Sequence, residues 1–90
     1  MLELVTTSKF RKDVKRMRKR GIDLSELEVV ITALCNEVPL DDSYHDHALT
    51  GNLNGFRECH IAPDWLLIYA IDHKELILTA SRTGSHSDLF

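Results

Sequence analysis

The sequence predicts an α+β domain, in which two helices pack on one face of a twisted, mainly antiparallel sheet. Three observations lead to this fold class. Apolar residues recur at helical spacing between residues 8 and 38, and three strand-like runs follow between residues 55 and 81. Ninety residues leave no room for a second core, so residues 1–90 are predicted to form one domain with the element order β-α-α-β-β-β.

The first strand and the first helix have clear local signals. The segment LELVT, residues 2–6, alternates as a short strand does. Ser8 is the predicted N-cap of the helix, and Gly21 suits the left-handed position just beyond its end. There, Ile22 is expected to fold back onto Met17 in a Schellman cap. The apolar stripe of this helix comprises Phe10, Val14 and Met17.

The second helix is predicted to begin near Asp23 or Ser25. Each of these residues has a glutamate three positions later, Glu26 and Glu28, as in a capping box. Pro39 is expected to end the helix, because proline cannot continue it. The buried stripe is predicted to contain Leu27, Val30, Ile31, Leu34, Cys35 and Val38.

The second half of the chain is predicted to supply most of the sheet. Residues 39–54 show no periodicity, and their tyrosine and histidines favour an ordered, functional loop. Strands are predicted at 55–61, 65–71 and 75–81. The middle run is apolar throughout, which is typical of a central strand covered on both faces. No predicted helix covers the second face of the sheet, so that face is expected to be open to a partner or a substrate.

The net charge of −3 is divided unevenly along the chain. Residues 1–20 carry +6 and residues 21–90 carry −9, so the first helix presents a basic surface suited to a polyanion. No apolar run approaches the roughly 20 residues of a membrane span, and the N-terminal segment lacks the build of a secretory signal. These features predict a cytoplasmic protein without membrane association. Cys35 and Cys59 lie in apolar segments and are expected to be reduced core residues.

Five polar residues are expected to meet at one patch. His60 and Asp64 bracket the predicted hairpin tip, where cross-strand neighbours lie about 5 Å apart. Arg82 and His86 follow the last predicted strand, and His47 enters from the long loop. Imidazole and carboxylate groups transfer protons, and the planar fork of arginine suits a phosphate. The set therefore fits metal-independent cleavage of an RNA phosphodiester by attack of the ribose 2′-hydroxyl.

The same residues have plainer interpretations. The basic run KFRKDVKRMRKR is, by itself, typical of a solvated helix face. Asp64 is also an ordinary turn residue, and Trp65 suits a core position as well as a platform for a base. A zinc site is a further alternative, although the spacing of its candidate ligands matches no recognisable motif. Those ligands would be His45, His47, His60 and His86.

Two longer segments carry a family resemblance. DHALTGNLNGFRECHIAPDWLLIY (46–69) contains DH-x-L-x-G and H-I-x-P-D-W-x-L-I-Y, and the chain closes on RTGSHSDLF (82–90). Together with the two helices, these motifs make essentially the whole chain resemble the YafQ branch of the RelE/ParE superfamily of bacterial toxins. The resemblance implies a RelE-like fold with a short C-terminal catalytic tail. It also implies a ribosome-dependent endoribonuclease that needs no cofactor, cuts mRNA in the A site and inhibits translation.

The resemblance further implies roles for single residues. His86 is the expected general acid, and Arg82 the expected stabiliser of the transition state. His60 together with Asp64 is expected to supply the base, and His47 to assist or position. The residues expected to orient the RNA are Trp65 and Phe90.

Partners follow from the same resemblance. A cognate antitoxin of the DinJ or RelB kind, encoded in the same operon, is expected to hold the toxin inactive. Operator DNA is expected to be bound only through the complex with that antitoxin. The basic helix is expected to grip phosphates of ribosomal RNA, which makes binding salt-dependent. The residues concerned are Lys9, Arg11, Lys12, Lys15, Arg16, Arg18, Lys19 and Arg20.

Two other functions stay open at this point. A ParE-like toxin of the same fold would inhibit DNA gyrase by binding and would need no proton-transfer group. A catalytically inactive module would bind an antitoxin and serve only in regulation. The histidine and carboxylate set argues against the first of these.

Overall fold

A five-stranded sheet with the strand order β1-β5-β4-β3-β2 organises the molecule, and the computed structural model describes residues 1–90. β1 pairs parallel with β5, and the remaining neighbours are antiparallel. The predicted class, a mainly antiparallel α+β fold, is confirmed. The elements are β1 (Glu3–Thr6), α1 (Ser8–Lys19), α2 (Ser25–Cys35), β2 (His47–Ala48), β3 (Arg57–Ala62), β4 (Trp65–Asp72), β5 (Ile77–Gly84) and α3 (His86–Leu89).

The core lies between the two long helices and one face of the sheet. Its helical side comes from the apolar stripes of α1 and α2, and its sheet side from alternate residues of β3, β4 and β5. Both cysteines are free and buried, as predicted. No helix of the protein is long and apolar enough to cross a bilayer. The core cluster consists of Leu2, Phe10, Leu27, Val30, Leu34, Cys35, Cys59, Ile61, Leu67, Tyr69, Leu78 and Ala80.

The ends of α1 follow the predicted chemistry with a shift of one residue at the start. Thr7, and not Ser8, is the N-cap, because the Thr7 hydroxyl accepts the backbone N–H three residues later. The Schellman cap is confirmed: Gly21 is left-handed at φ +79°, and the Ile22 N–H donates to the Met17 carbonyl at 3.2 Å.

The predicted capping box of α2 is absent. The Ser25 N–H donates to the Asp23 carboxylate at 2.9 Å, a local turn that leaves the helix N-terminus without a side-chain cap. The helix ends at Cys35, three residues before Val38. Val38 is therefore 52% exposed, and its predicted place in the buried stripe is wrong.

The long loop adds a fifth strand to the predicted set. Residues 39–54 are ordered through two single-turn 3-10 helices, Asp42–Tyr44 and Gly51–Leu53, which flank β2. β2 pairs only with the first two residues of β3. The rest of β3 has no strand on that side and forms an edge of the sheet. The loop thus carries His47 into the sheet.

β5 is longer than the sequence predicts. It continues past Ser81 to Gly84, with a change of register opposite Ile68 and Tyr69 in β4. Arg82 therefore lies inside a strand and not after it. The last residues then form the short helix α3, so the predicted C-terminal tail is helical.

The second face of the sheet is less open than predicted. Leu66 and Ile68 of β4 point away from the helices, since the core cluster contains their neighbours Leu67 and Tyr69. Even so, both residues are buried, with 0% of Leu66 and 3% of Ile68 exposed to solvent. The central strand is therefore buried on both faces at these positions.

Candidate active site

One row of paired residues crosses four strands of the sheet. His47 of β2 pairs with Glu58 of β3, Glu58 with Ile68 of β4, and Ile68 with Arg82 of β5. Paired residues on neighbouring strands point to the same side, and the strands lie about 4.8 Å apart. His47, Glu58 and Arg82 consequently share the face of the sheet opposite the helices, with Ile68 beneath them.

The predicted histidines converge beside this row. His60, in the next row of the same face, pairs with Leu66. Its ring centroid lies 6.3 Å from that of His47 and 5.8 Å from that of His86. The ring of His45 stands edge-on to it at 5.6 Å. The sequence therefore predicts the cluster correctly, although it gives no role to His45 outside the zinc alternative.

Asp64 is paired differently from the prediction. At the hairpin tip, its carboxylate accepts the backbone N–H of His86 at 3.0 Å and the Nδ1–H of the same residue at 2.9 Å. The hydrogen bond from the His86 backbone, followed by that from its ring, holds the pKa of Asp64 below its usual value. The partner of Asp64 is thus His86 and not His60, because the start of α3 docks on the hairpin tip.

Glu58 is a buried carboxylate within the histidine cluster that was not among the predicted site residues. Its Oε2 lies 3.2 Å from Nε2 of His47 and 3.7 Å from Nε2 of His60, and the residue is buried. The other ring nitrogen of His47, Nδ1, is 2.7 Å from the carbonyl of His45. Strand alternation contained the signal, since Glu58 and His60 are two residues apart and so share a face.

Arg82 is held by a second carboxylate that the sequence analysis did not single out. Its Nε and Nη2 donate to the two oxygens of Asp13 on α1, at 2.7 and 3.1 Å. Asp13 also accepts the N–H of Thr83 at 3.2 Å and Nη2–H of Arg16 at 2.9 Å. Burial alone would raise the pKa of Asp13, but the bonds from Arg82 and Thr83 outweigh it and lower the pKa.

The tail that carries His86 docks on the basic helix. Ser85 and Asp88 form a capping box around the start of α3. Asp88 also accepts two hydrogen bonds from Arg20, at 2.8 and 3.0 Å. The bonds from Arg20 and then from the Ser85 backbone hold the pKa of Asp88 well below its usual range.

The two aromatic residues predicted to bind RNA bases differ in solvent exposure. Trp65 is half-buried, packs against the core and donates its indole N–H to the Thr83 hydroxyl at 3.0 Å. Phe90 at the chain end is 66% exposed. A cleft of about 500 Å³ opens beside His60, between His45 and Pro63. It has room for a nucleotide next to the histidine cluster.

The eight basic residues of the first 20 divide into two groups. Arg16 and Arg20 are engaged with Asp13 and Asp88, and Arg11 donates to the carbonyl of Thr6 at 2.7 Å. The others are exposed and form none of the ion pairs of the protein. They are Lys9, Lys12, Lys15, Arg18 and Lys19.

The side chains of the site are not arranged as a metal site. No three histidine, cysteine, aspartate or glutamate side chains are placed to hold a metal ion. The four histidines of the zinc alternative, His45, His47, His60 and His86, therefore do not form such a set in this structure.

Comparison with known proteins identifies the family. A family profile described as the bacterial toxin of type II toxin–antitoxin system, YafQ, matches residues 2–90. The chain belongs to the YafQ toxin family. The mRNA interferase toxin YafQ of Escherichia coli K12 is 41% identical over 85 residues, which cover 93% of this chain and 90% of that protein.

Solved structures agree with this membership of the YafQ family. A metal-bound toxin from Helicobacter pylori is 49% identical and superposes with a TM-score of 0.93, each chain covering 100% of the other. YafQ in the Escherichia coli DinJ–YafQ complex is 37% identical with a TM-score of 0.90, covering 100% of this chain and 99% of that one. The predicted family is confirmed.

Proposed function

We propose that the protein is the toxin of a type II toxin–antitoxin pair and an endoribonuclease that cleaves mRNA in the A site of the ribosome. One observation carries the proposal: three histidines with carboxylate partners cluster at the sheet face that carries an arginine with a fixed guanidinium. The names of the Escherichia coli relatives, mRNA interferase toxins, support the same activity.

The reaction needs a base, an acid and a cation, and no other co-reactant. The base removes the proton of the ribose 2′-hydroxyl, whose oxygen attacks the adjacent phosphorus. The P–O5′ bond breaks, and the acid protonates the leaving 5′-oxygen. The products are a 2′,3′-cyclic phosphate and a 5′-hydroxyl end. Each proton transfer is worth about 10²–10⁴-fold in rate.

The base belongs to the end of the site near β2. His60, at the middle of the cluster, is our first candidate, and Glu58 lies 3.7 Å from its ring. A carboxylate at this position stabilises the imidazolium that forms when the ring takes up a proton. His47 shares the same carboxylate at 3.2 Å and serves to position it. Asp64 is not needed for this step.

The acid is His86. Its Nδ1 is bonded to Asp64, so Nε2 is the nitrogen left to meet the substrate. The bond to Asp64 fixes the orientation of the ring, so that Nε2 can carry the proton that the leaving 5′-oxygen receives. Asp64 thus supports the acid and not the base, the role predicted for it from the family resemblance.

Arg82 supplies the cation. Two of its nitrogens are bound to Asp13, and the third, Nη1, forms no hydrogen bond within the protein. A guanidinium fixed in this way opposes charge on the phosphorane without reorganising, which is the usual origin of strong electrostatic catalysis.

The RNA is held by stacking and by backbone contacts. Phe90, being exposed, is free to stack on a base, at about 1–3 kcal/mol per base. Trp65 offers only the part of its ring that the core leaves exposed. The five unpaired basic side chains of α1 are the ones proposed to contact ribosomal RNA, and Arg11, Arg16 and Arg20 contribute less because intramolecular contacts already occupy them.

The proposed partners are an antitoxin and the ribosome. The DinJ–YafQ complex supports a cognate antitoxin for this chain as well. Operator DNA would be bound through that complex. We propose a cytoplasmic location, since the proposed substrate lies on the ribosome. We derive no step through a metal ion, since no set of side chains fits one.

Programmed ribosomes with a short labelled mRNA test this function. The wild-type toxin should cut within the A-site codon, and the Arg82→Ala and His86→Ala variants should each lose about 10²-fold or more in single-turnover rate. His73→Ala, in an exposed turn, is the matched histidine control. Supercoiling by DNA gyrase is assayed in parallel. Inhibition of gyrase without mRNA cleavage would instead establish the ParE-like function, and growth arrest without either activity would point to a regulatory module.

A further inference from the structure

Asp13 stands out in the most basic part of the chain. It and Glu3 are the only acidic residues among the first 20, which also carry eight lysines and arginines. On a basic helix, an ordinary aspartate would be exposed and would reduce the positive charge of the helix surface. Asp13 is instead 2% exposed, and its carboxylate accepts four hydrogen bonds from other groups of the protein.

The place of Asp13 in the fold explains its contacts. β1 pairs with β5 only as far as Ala80, so the stretch of β5 beyond that residue lacks a neighbour on this side. α1 follows directly after β1 and lays Asp13 along the free stretch, where the carboxylate accepts the Thr83 N–H at 3.2 Å. Asp13 thereby replaces a strand partner and is tied to the backbone that carries Arg82.

The same carboxylate determines the direction of the guanidinium. Nε and Nη2 of Arg82 are bound to separate oxygens of Asp13, which is the two-pronged geometry that holds the planar group in one orientation. Nη1 is the nitrogen left over. Without Asp13, Arg82 would sit next to a register shift with a long side chain free to rotate.

We propose that Asp13 is a positioning residue for catalysis: it aims Nη1 of Arg82 at the phosphate and keeps the cation in place through the reaction. This inference rests on the role proposed above for Arg82. It adds that α1 belongs to the catalytic machinery through Asp13, besides offering its exposed lysines to the ribosome.

A double-mutant cycle tests the proposal. Single-turnover cleavage on saturating programmed ribosomes is measured for wild type, Asp13→Asn, Arg82→Ala and the double variant. Arg82→Ala should cost about 10²–10³-fold, as the loss of one fixed electrostatic group does. Asp13→Asn should cost about 10–10²-fold, the range expected when a catalytic group is misplaced by about 1 Å.

Coupling is the readout that separates positioning from general stability. The double variant should be no slower than Arg82→Ala alone. Once the guanidinium is absent, Asp13 has no catalytic group to orient. Binding to ribosomes should stay unchanged in Asp13→Asn. Asp72→Asn, at the remote end of β4, makes the same change in net charge and should cleave at the wild-type rate.

Chemical rescue provides a second, independent readout. Guanidinium chloride at millimolar concentration should restore part of the cleavage rate of Arg82→Ala, because the free cation can bind Asp13 in the space that the Arg82 side chain vacates. It should restore nothing in the double variant and change nothing in wild type. If Asp13→Asn does not accumulate as folded protein, Asp13→Glu takes its place. It keeps the charge but lengthens the side chain, and should slow cleavage about tenfold or more.

Several results would overturn the inference. They are multiplicative losses in the double variant, equal rescue with and without Asp13, a faster Asp13→Asn enzyme, or wild-type cleavage by Asp13→Glu. Full activity of Arg82→Ala is a different outcome, because it would remove the proposed role of Arg82 itself.

Discussion

The two ends of the active site are held in opposite ways. At the β5 end, Arg82 is locked to a buried carboxylate, Asp13, which receives four hydrogen bonds. At the β2 end, His47 and His60 share Glu58 at 3.2 and 3.7 Å, and half of the His47 side chain is exposed. His86 is likewise half-exposed.

This difference matches what each group has to do. A cation that stabilises a transition state works best when it is already in place and does not reorganise. Groups that transfer protons must exchange them with solvent and reach the substrate, so they tolerate exposure and looser contacts. Changes at the histidine end should therefore remove activity with little loss of stability, whereas changes at the Arg82 end should affect both.

The largest expected effect at the histidine end comes from deleting residues 85–90. The deletion removes the proposed acid, His86, together with Phe90, and should abolish mRNA cleavage. The buried core contains no residue after Gly84, so the fold and antitoxin binding should persist. Circular dichroism, antitoxin pull-down and ribosomal cleavage measure the three properties. Cleavage at the normal rate by the truncated protein would show that the tail has no catalytic part.

A smaller effect is expected from Glu58→Gln. This change keeps the shape of the side chain but removes the charge shared by His47 and His60. Cleavage should fall by at least about tenfold, yet by less than the roughly 10²–10⁴-fold loss of a whole proton-transfer group. Glu75→Gln, in an exposed turn, is the matched control. Equal rates for the two variants would exclude Glu58 from the mechanism.

The smallest effect concerns stability in acid and belongs to the Arg82 end. The pKa of Asp13 is lower in the folded protein than its ordinary value of 3.8. The carboxylate therefore contributes stability that is fully present above about pH 4 and is lost as the pH falls through the folded-state pKa. Urea unfolding of wild type should show this loss as the pH is lowered from about 4 through the folded-state pKa, and Asp13→Asn should show a shallower dependence. Parallel curves for the two proteins would refute the contribution of Asp13.

The sequence predicts much of this arrangement because its signals are local. The Schellman cap needs only Gly21 and its neighbours, and the strands need only alternation and turn residues. The convergence of His47, His60 and His86 follows from placing their segments at one end of a sheet. These expectations depend on few long-range details.

The errors and omissions have a common physical cause, which is that they depend on packing between distant segments. Arg82 falls inside β5 because a register shift lengthens the strand, and Asp64 meets His86 because α3 docks on the hairpin tip. Asp13 contacts a residue 69 positions away. One signal was nevertheless available: Asp13 lies between Phe10 and Met17 on the apolar face of α1, where an unpaired acid would be costly.

The central claim is that the ribose 2′-hydroxyl attacks the adjacent phosphate. The most direct measurement uses ribosomes programmed with mRNA whose A-site nucleotide on the 5′ side of the cleaved bond carries a 2′-O-methyl group. Cleavage should disappear, while unmodified mRNA should give a 2′,3′-cyclic phosphate and a 5′-hydroxyl end, detected by mass spectrometry. Cleavage of the methylated mRNA at an unchanged rate would contradict this mechanism, because water would then have to be the nucleophile.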